Sequence, residues 1–314
     1  MELVRSMRIV TLGEGMIEIA GRVGATGRIT YGGDVLNMTI ALARLGHRPA
    51  FMTALGQDPW SEEMIAGWTA EGVDPSLIAR HPDRLPGLYG IRVDDQGERS
   101  FSYWRDGSAA RDFFALPDCE RLLAEAAEAD VLFLSGITLS LFDEAGRSRI
   151  ATLADQVRAR SGIVAFDGNY RPRGWPSPAT AERAFMDFAA HATLGLPTAE
   201  DEALLRGAHD TPEAIAARWH GLGVRDVVVK LGPQGAYVST PEERGLVPTT
   251  PVTPVDTSGA GDAFDAGYIA ARLAGHGALA AARFGHRLAG ETVRHPGAIP
   301  AREAVLAIQP EQVA

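Results

Sequence analysis

The sequence has 314 residues, of which 46% are hydrophobic and 22% charged, an ordinary globular composition that excludes disordered and fibrous classes. Its net charge of -10, without any block rich in basic residues, argues against a nucleic-acid partner. The sequence has neither the apolar core of a signal peptide nor an apolar run near the ~18 residues of a membrane span, so we expect no membrane partner. The single cysteine, Cys119, fits a reducing compartment, and we expect a cytoplasmic protein.

Short, continuous apolar runs recur along the chain, as buried strands of a parallel sheet do. Helical patterns lie between them: the apolar side chains of Asn37–Leu45 share one face, and Gly46 follows as a stop signal. This alternation predicts an α/β fold with a doubly wound, mostly parallel central sheet flanked by helices. The predicted strands are Arg8–Leu12, Val131–Leu134, Ile163–Phe166 and Val227–Leu231.

Two segments, 14–31 and 87–104, alternate in polarity without a helical period, and residues 94–97 have turn chemistry. We expect them to form hairpin strands outside the main sheet, as a small β-lid over its ligand edge. No linker or repeat divides the chain, so residues 1–314 are expected to form a single domain. The exposed lid edges make a homo-oligomer, such as a dimer, plausible.

The stretch DTSGAGDAF, residues 256–264, places small residues and a carboxylate at the start of a predicted helix. The first N–H groups of a helix lack internal partners and attract anions, and glycine lets an oxyanion approach the backbone. Asp262 would repel a phosphate there unless it acts as a base toward a substrate hydroxyl while the N–H groups hold a transferred phosphoryl group. The spacing alone also fits an ordinary acidic first turn after a tight turn.

Two motifs carry a family resemblance. DTSGAGDAFDAG resembles the C-terminal signature of the ribokinase-like (PfkB) carbohydrate kinases, and YGGDVLNMTIALARLG, residues 31–46, resembles their glycine-rich sugar-binding segment. The resemblance covers essentially the whole chain and implies a ribokinase-like fold with a β-lid. It implies ATP and Mg²⁺ as cofactors and leaves open a monovalent cation. It also implies that Asp262 is the catalytic base and that Gly259, Ala260 and Gly261 form the anion hole.

The form GGDVLN is similar to the 2-keto-3-deoxygluconate kinases of this family, whereas fructokinase-like members tend toward GGAPAN. The resemblance assigns Gly33, Asp34 and Asn37 to the sugar. The segments FSYWRDGSAAR and DGNYRPRGW resemble the same branch and imply that Arg105 and Arg171 bind the substrate. A guanidinium offers parallel donors to a carboxylate, so the arginines fit a sugar acid. Both nevertheless have structural alternatives: Arg105 as a solvated strand residue and Arg171 as an ion-pair member.

Tyr89 and Tyr103 are assigned to the wall of the sugar site as hydroxyl donors, with a role as core aromatics of the lid left open. Trp104 follows Tyr103 on the same predicted strand and should face the opposite side. We expect Trp104 to pack against the protein.

The segment DVVVKLGPQGAYV, residues 226–238, resembles the nucleotide-binding turn of the family, and no Walker-type phosphate loop is present. The segment LPTAEDE, residues 196–202, lies where the family has an N-x-x-E motif near magnesium but departs from it. Asp201 is the predicted magnesium ligand; Glu202 or an ordinary acidic helix start remains an alternative. The residues assigned to the nucleotide are Thr198, Lys230, Gly232, Gly235 and Thr257.

The leading hypothesis is a kinase that uses ATP to phosphorylate the terminal, 6-hydroxyl group of 2-keto-3-deoxygluconate. Rivals are a related kinase acting on fructose or keto-deoxy-galactonate and a non-catalytic sensor of sugar acids. A nicotinamide dehydrogenase is disfavoured because no G-x-G-x-x-G follows the first strand.

Overall fold

The computed structural model describes residues 7–22, 24, 26–93, 99–306 and 308. The strands are β1 Ile9–Leu12, β2 Met16–Ala20, β3 Arg28–Gly32, β4 Ala50–Leu55, β5 Ile78–Arg80, β6 Gly87–Val93, β7 Arg99–Trp104, β8 Val131–Ser135, β9 Ile163–Asp167, β10 Leu194–Gly195, β11 Asp226–Lys230, β12 Ala236–Ser239 and β13 Arg244–Val247. The helices are α1 Asp34–Arg44, α2 Pro59–Ala70, α3 Cys119–Ala126, α4 Gly136–Leu141, α5 Glu144–Ala159, α6 Pro178–Ala189, α7 Ala199–Arg206, α8 Pro212–Gly221, α9 Ala260–Leu273, α10 Ala278–Thr292 and α11 Arg302–Leu306.

Nine strands form the central sheet in the order β13-β12-β11-β10-β9-β8-β1-β4-β5. The pairs from β11 through β5 are parallel, and β12 and β13 add an antiparallel edge. The predicted, mostly parallel sheet is therefore confirmed, and each of the four apolar runs forms one of its strands.

Helices cover both faces of this sheet. One apolar cluster joins a face of the strands to α3, α5, α6 and α8 through residues such as Leu122, Ile150 and Trp219. The other joins the opposite face to α1, α2, α9 and α10 through residues such as Leu36 and Phe284. Strands covered on both faces are apolar along their whole length, and this explains why they appear as continuous runs in the sequence.

The smaller sheet has four strands in the order β3-β2-β6-β7. Its pairs are antiparallel except for β2 with β6, which run parallel. Residues of both predicted hairpin segments therefore build one separate sheet, as expected. The turn predicted at residues 94–97 lies outside the described residues.

The central sheet changes its direction of progression at β1, whose neighbours are β4 on one side and β8 on the other. In open α/β sheets, ligands bind beyond the carboxyl ends of the strands at such a switch point. The second sheet begins only a few residues after β1 ends, so it starts at this edge. Within the described ranges, no helix is both long and apolar enough to cross a membrane.

Candidate active site

Polar residues stand at the carboxyl ends of the central strands. Ser135 ends β8 and Asp167 ends β9, and these two residues pair in register, while Lys230 ends β11. The first turns of α1 and α9 supply further carboxylates at the same edge. We call this group the polar floor; it comprises Asp34, Ser135, Asp167, Asn169, Lys230, Asp262 and Asp265.

The GAG turn begins α9. Gly259 caps the helix with a left-handed φ of 72°, and a Cβ there would lie 2.7 Å from the Cβ of Ala298. A Cβ at Gly261 would meet a single neighbour within 4 Å, the Nζ of Lys230 at 3.7 Å. At Gly261, but not at Gly259, the backbone therefore borders open space, as an anion hole requires, and the half-buried Asp262 follows directly.

A buried residue fixes the loop before this turn. The carboxylate of Asp256 accepts hydrogen bonds from the backbone N–H groups of Ser258 at 2.9 Å and Gly297 at 2.6 Å. These bonds tie the start of α9 to the loop that follows α10. The position of the turn is thus set before any ligand arrives.

Hydrogen bonds join the two sequence motifs. Asn37 Nδ2 donates to Asp262 Oδ2 at 2.8 Å, across 225 positions of sequence. Asp34 Oδ2 accepts from Ser135 Oγ at 2.5 Å and from Asn169 Nδ2 at 2.9 Å. Asn169 has a left-handed φ of 34°, uncommon for a residue other than glycine and often found at functional sites. The sugar-binding candidates and the candidate base therefore lie side by side.

The environment of Asp262 shifts its protonation. Burial, followed by the charge of Asp34, raises the pKa of Asp262 to about 8, although the hydrogen bond from Asn37 opposes the shift. Burial likewise raises the pKa of Asp34, against the hydrogen bond from Ser135. A general base works best when its pKa lies near the operating pH, and Asp262 meets that condition.

Lys230 does not face bulk solvent. Its ammonium lies 3.0 Å from Asp167 Oδ1, and it contacts both carboxylate oxygens of Asp265 at 3.0 and 3.1 Å. The side chains of these two aspartates are 5% and 0% exposed, so the three side chains form a compact buried group beside the GAG turn. Burial raises the pKa of Asp265 well above its ordinary value, although the charge of Lys230 opposes the shift.

The residues assigned to the lid side of the site form hydrogen bonds and ion pairs within the protein. Tyr89 is buried, and its hydroxyl donates to Glu18 Oε2 at 2.6 Å; its ring centroid lies 6.0 Å from that of Tyr103. Arg105 forms an ion pair with the buried carboxylate of Glu14, so its alternative role as a solvated residue is wrong. Gly33 lies against Glu14, where a Cβ would come 2.3 Å from the Glu14 carbonyl oxygen.

Trp104 differs from its prediction. It stands on the strand face opposite Tyr89 and Tyr103, since its ring approaches Gly90. Its exposed fraction is 64%, so the expected packing against the protein was wrong. The reason is its place: β7 is an edge strand of the four-stranded sheet, and Trp104 is its last residue.

Arg171 and Asp201 lie together. Arg171 Nη1 donates to Asp201 Oδ1 at 3.0 Å and to the Tyr170 carbonyl oxygen at 2.7 Å, while 55% of the arginine side chain stays exposed. Glu202, the alternative magnesium ligand, is buried and accepts from Trp219 Nε1 at 2.9 Å and Arg218 Nη2 at 2.7 Å. These bonds give Glu202 a structural role in packing α7 against α8.

The nucleotide candidates surround the turn after β11. Gly235 has a left-handed φ of 112° and faces the Val247 carbonyl oxygen, whereas Gly232, with φ of 56°, faces open space. Thr198 bridges to Lys230 in the sheet, and Thr257 is exposed on the loop before α9. The turn and the GAG segment thus flank the end of β11.

The described residues contain no group of three or more histidine, cysteine or acidic side chains placed to hold a metal by themselves. Mg²⁺ in kinases is commonly bound by one or two carboxylates together with substrate phosphates and waters. Asp201, with one oxygen bound by Arg171 and a side chain that is partly exposed, fits that smaller requirement.

Sequence reasoning missed several members of the polar floor and the lid. Ser135, Asp167 and Asn169 were detectable because they are polar residues at or directly after the carboxyl ends of apolar strands. Glu14 and Glu18 gave no such signal, because Arg105, the partner of Glu14, and Tyr89, one of the partners of Glu18, lie about 70 or more residues away. In the sequence, Asp265 looks like an ordinary helix residue. Only the fold shows that it contacts Lys230.

Comparisons with known proteins agree with this geometry. The model of the pfkB family carbohydrate kinases matches residues 7–304. The chain is 40% identical over 305 residues to the 2-dehydro-3-deoxygluconokinase of Dickeya dadantii (strain 3937), covering 95% of this chain and 98% of that protein. It is 39% identical over 309 residues to the protein of the same name from Escherichia coli (strain K12), covering 96% and 99%.

A crystal structure of a PfkB protein from Polaromonas sp. JS666 superposes with a TM-score of 0.83 at 29% identity, covering 96% of this chain and 99% of that one. This chain therefore belongs to the pfkB family of carbohydrate kinases.

Proposed function

We propose that this protein transfers the terminal phosphoryl group of ATP to the 6-hydroxyl of 2-keto-3-deoxygluconate, also called 2-dehydro-3-deoxygluconate. The names of the relatives at 39–40% identity support this substrate. The observation that carries the proposal is the hydrogen bond between Asn37 and Asp262, which sets a sugar-binding candidate beside a carboxylate with a pKa of about 8.

Asp262 acts as the base. It accepts the proton of the substrate hydroxyl as that oxygen bonds to the terminal phosphorus and the bond between phosphorus and the ADP oxygen breaks. The backbone N–H groups of Gly259, Ala260 and Gly261 hold the charge on the transferred group. General-base catalysis typically supplies about 10²–10⁴-fold, so positioning and electrostatics supply most of the acceleration.

Arg105 and Arg171 bind the carboxylate of the substrate. The Nε of Arg105 is buried and has no hydrogen-bond partner among the described residues, and we assign this donor to the substrate carboxylate. Arg171 is more than half exposed despite its bond to Asp201. Asp34 and Asn37 bind sugar hydroxyls over Gly33, with Tyr89 and Tyr103 forming the lid-side wall.

ATP binds along the turn after β11 and the GAG turn, in contact with Thr198, Lys230, Gly232, Gly235 and Thr257. Asp201 would hold Mg²⁺ together with the phosphates, and the ion would neutralise charge on the phosphoryl group. Whether a monovalent cation is also required stays a prediction, which turnover in sodium and potassium salts at equal ionic strength tests.

We further propose a homodimer formed through the small sheet. Its outer edges, β3 and β7, have no strand partner among the described residues, and Ile29 and Trp104 are exposed on it at 56% and 64%. Light scattering gives the mass, and a monomer would contradict the proposal. A cytoplasmic location follows from the need for ATP and is tested by cell fractionation.

The experiment that tests the function is ADP release with Mg-ATP and a panel of acceptors: 2-keto-3-deoxygluconate, 2-keto-3-deoxygalactonate, gluconate, fructose and ribose. A no-acceptor reaction controls for ATP hydrolysis. We expect 2-keto-3-deoxygluconate to give the highest kcat/KM. A preference for fructose would contradict the assignment of Arg105 and Arg171 to the substrate carboxylate. The absence of ADP release with every acceptor would favour a sugar-acid sensor.

A further inference from the structure

Lys230 is the only lysine among the 30 lysine and arginine residues of the sequence. Every other basic position uses arginine, including the ion pairs at the rim of the site. An ammonium concentrates its charge on one atom with three N–H donors, whereas a guanidinium spreads five donors over a planar fork. The position at the end of β11 therefore uses a compact cation within a narrow space.

Three carboxylate oxygens of two aspartates surround the ammonium of Lys230. Asp167 Oδ1 lies 3.0 Å from Nζ, and Asp265 approaches through both oxygens from the opposite element, α9. Burial lowers the pKa of Lys230, but the charges of Asp167 and Asp265 raise it by more, so the ammonium keeps its proton at neutral pH. Asp265 stands one helical turn after Asp262 and is fully buried.

The remaining side of the ammonium faces the GAG turn. Outside its own helix turn, the one atom among the described residues within 4 Å of a Cβ built on Gly261 is Lys230 Nζ, at 3.7 Å, so the two border the same open space. The corresponding position at Gly259 is filled by Ala298. The ammonium of Lys230 thus lies at the wall of the space that the helix N–H groups also face.

We propose that Asp167 and Asp265 hold the Lys230 ammonium beside the GAG turn so that one of its N–H groups turns to an oxygen of the terminal phosphate when ATP binds. This inference rests on the proposed kinase function and deepens it. Lys230 then contacts the reacting group, and Asp265 is a positioning residue that acts through Lys230. A fixed cation there is stabilising where charge develops during transfer, without reorganisation.

The single lysine makes a direct test possible. Protein labelled with nitrogen-15 in lysine alone contains one side-chain ammonium, whose NMR signal is followed during titration with Mg-bound β,γ-imido-ATP and, separately, Mg-ADP. We expect a large shift with the ATP analogue and a much smaller shift with ADP. An equal shift with both, or no shift with either, would overturn the assignment.

Calorimetry with the same two nucleotides supplies the second readout. Lys230→Met should weaken binding of the ATP analogue by about 10- to 100-fold, the range for hydrogen bonds to charged groups, while ADP affinity changes little. Asp265→Asn should give a smaller loss in the same sense. Asp187→Asn, on the exposed face of α6, is the matched control and should change neither affinity.

The double variant Lys230→Met/Asp265→Asn separates positioning from a purely structural role. If Asp265 acts through Lys230, adding Asp265→Asn to Lys230→Met costs no further affinity for the ATP analogue. Additive losses, or equal losses for ADP and the analogue, would overturn the proposal. Lys230→Met alone leaves the carboxylates of Asp167 and Asp265 buried without a cation. The double variant removes the carboxylate of Asp265, so fewer unpaired buried charges oppose its folding.

These measurements need no sugar. If the acceptor panel shows a different sugar as substrate, the nucleotide results still stand, and the two proposals fail separately. Absence of any binding of the ATP analogue would contradict both.

Discussion

The polar floor and the small sheet differ in how their side chains are held and how far they are exposed. In the floor, Asp34 holds hydrogen bonds from two partners and Asp262 holds one from Asn37, all between residues fixed on helices and strand ends. In the small sheet, Tyr89 is buried, but Tyr103 and Trp104 are largely exposed. In the proposed function, the chemistry would thus be preorganised on the floor, whereas recognition would fall on a sheet with more exposed side chains.

The two regions also differ in charge. The floor concentrates four aspartates around one lysine, so its electrostatics shift the pKa of Asp262 and Asp265 upward, with burial as the first cause. The small sheet and its margin place arginines beside single acidic partners, as in Arg105 with Glu14. Changes in the floor should therefore affect turnover, and changes in the small sheet should affect the choice of substrate.

The largest expected effect is from Asp262→Asn. Turnover should fall by about 10²–10⁴-fold, because the base is lost while sugar contacts remain. Near-normal turnover would contradict the assignment of Asp262, and Asp187→Asn on the exposed face of α6 is the control.

The same variant should become more stable at alkaline pH. The pKa of Asp262 is raised from an ordinary 3.8 to about 8, so its protonated form contributes stability that is complete below 3.8 and lost as pH rises through about 8. Asparagine cannot ionise, and the gain in Tm should be greater at pH 9 than at pH 5, values chosen on either side of about 8. An equal Tm difference at both pH values would refute the shifted pKa.

Arg105→Ala should come next in size. Loss of a charge-assisted contact to the substrate carboxylate should lower kcat/KM for 2-keto-3-deoxygluconate by about 10- to 100-fold, and much less for fructose. The variant should also lose stability, because Glu14 is left buried without its cation. Steady-state kinetics with both sugars measures the effect. Arg92→Ala, on an exposed position of β6, is the control, and equal losses for both sugars would contradict the account.

A glycine pair tests the nucleotide turn with a smaller effect. Gly235→Ala places a Cβ 2.1 Å from the Val247 carbonyl oxygen at φ of 112°, whereas Gly232→Ala meets no atom within 4 Å at φ of 56°. We expect Gly235→Ala to lower stability by about 1–3 kcal/mol and to raise KM for ATP. Gly232→Ala should cost about 1 kcal/mol for its left-handed backbone. Urea unfolding compares them, and equal losses would contradict the described turn.

The smallest effect concerns pH. Because Asp262 must be ionised to accept a proton, kcat/KM should rise with pH through a midpoint near 8. Asn37→Ala removes a hydrogen bond that lowers this pKa, so the midpoint should move up; Asp34→Asn removes a charge that raises it, so the midpoint should move down. Shifts in the same direction for both variants would refute this electrostatic account.

The fold was predictable from the sequence because its strands are apolar on both faces and its helices begin and end with clear signals. The helix start at the GAG turn was predictable because its glycines come directly before a helical pattern. The assignment of this turn and Asp262 to catalysis rests on the family resemblance. The exposure of Trp104 was not predictable, since alternation along β7 gives its face but not whether another element covers that face.

The partners of the charged residues were beyond sequence reasoning. Nothing in the local pattern pairs Arg105 with Glu14 or Lys230 with Asp265, because these contacts depend on how distant elements meet at the sheet edge. The magnesium assignment improved only after packing showed that Glu202 is bound by Trp219 and Arg218. Tertiary contacts between charges therefore decide which polar residues stay available for a ligand.

The central claim is that the floor sets the terminal hydroxyl at Asp262 while the arginines hold the acid end. Proton-coupled phosphorus NMR of the product formed from 2-keto-3-deoxygluconate tests this orientation directly. A triplet, from phosphorus on the terminal CH₂ oxygen, is the predicted result. A doublet, from phosphorus on a secondary carbon's oxygen, would contradict the account.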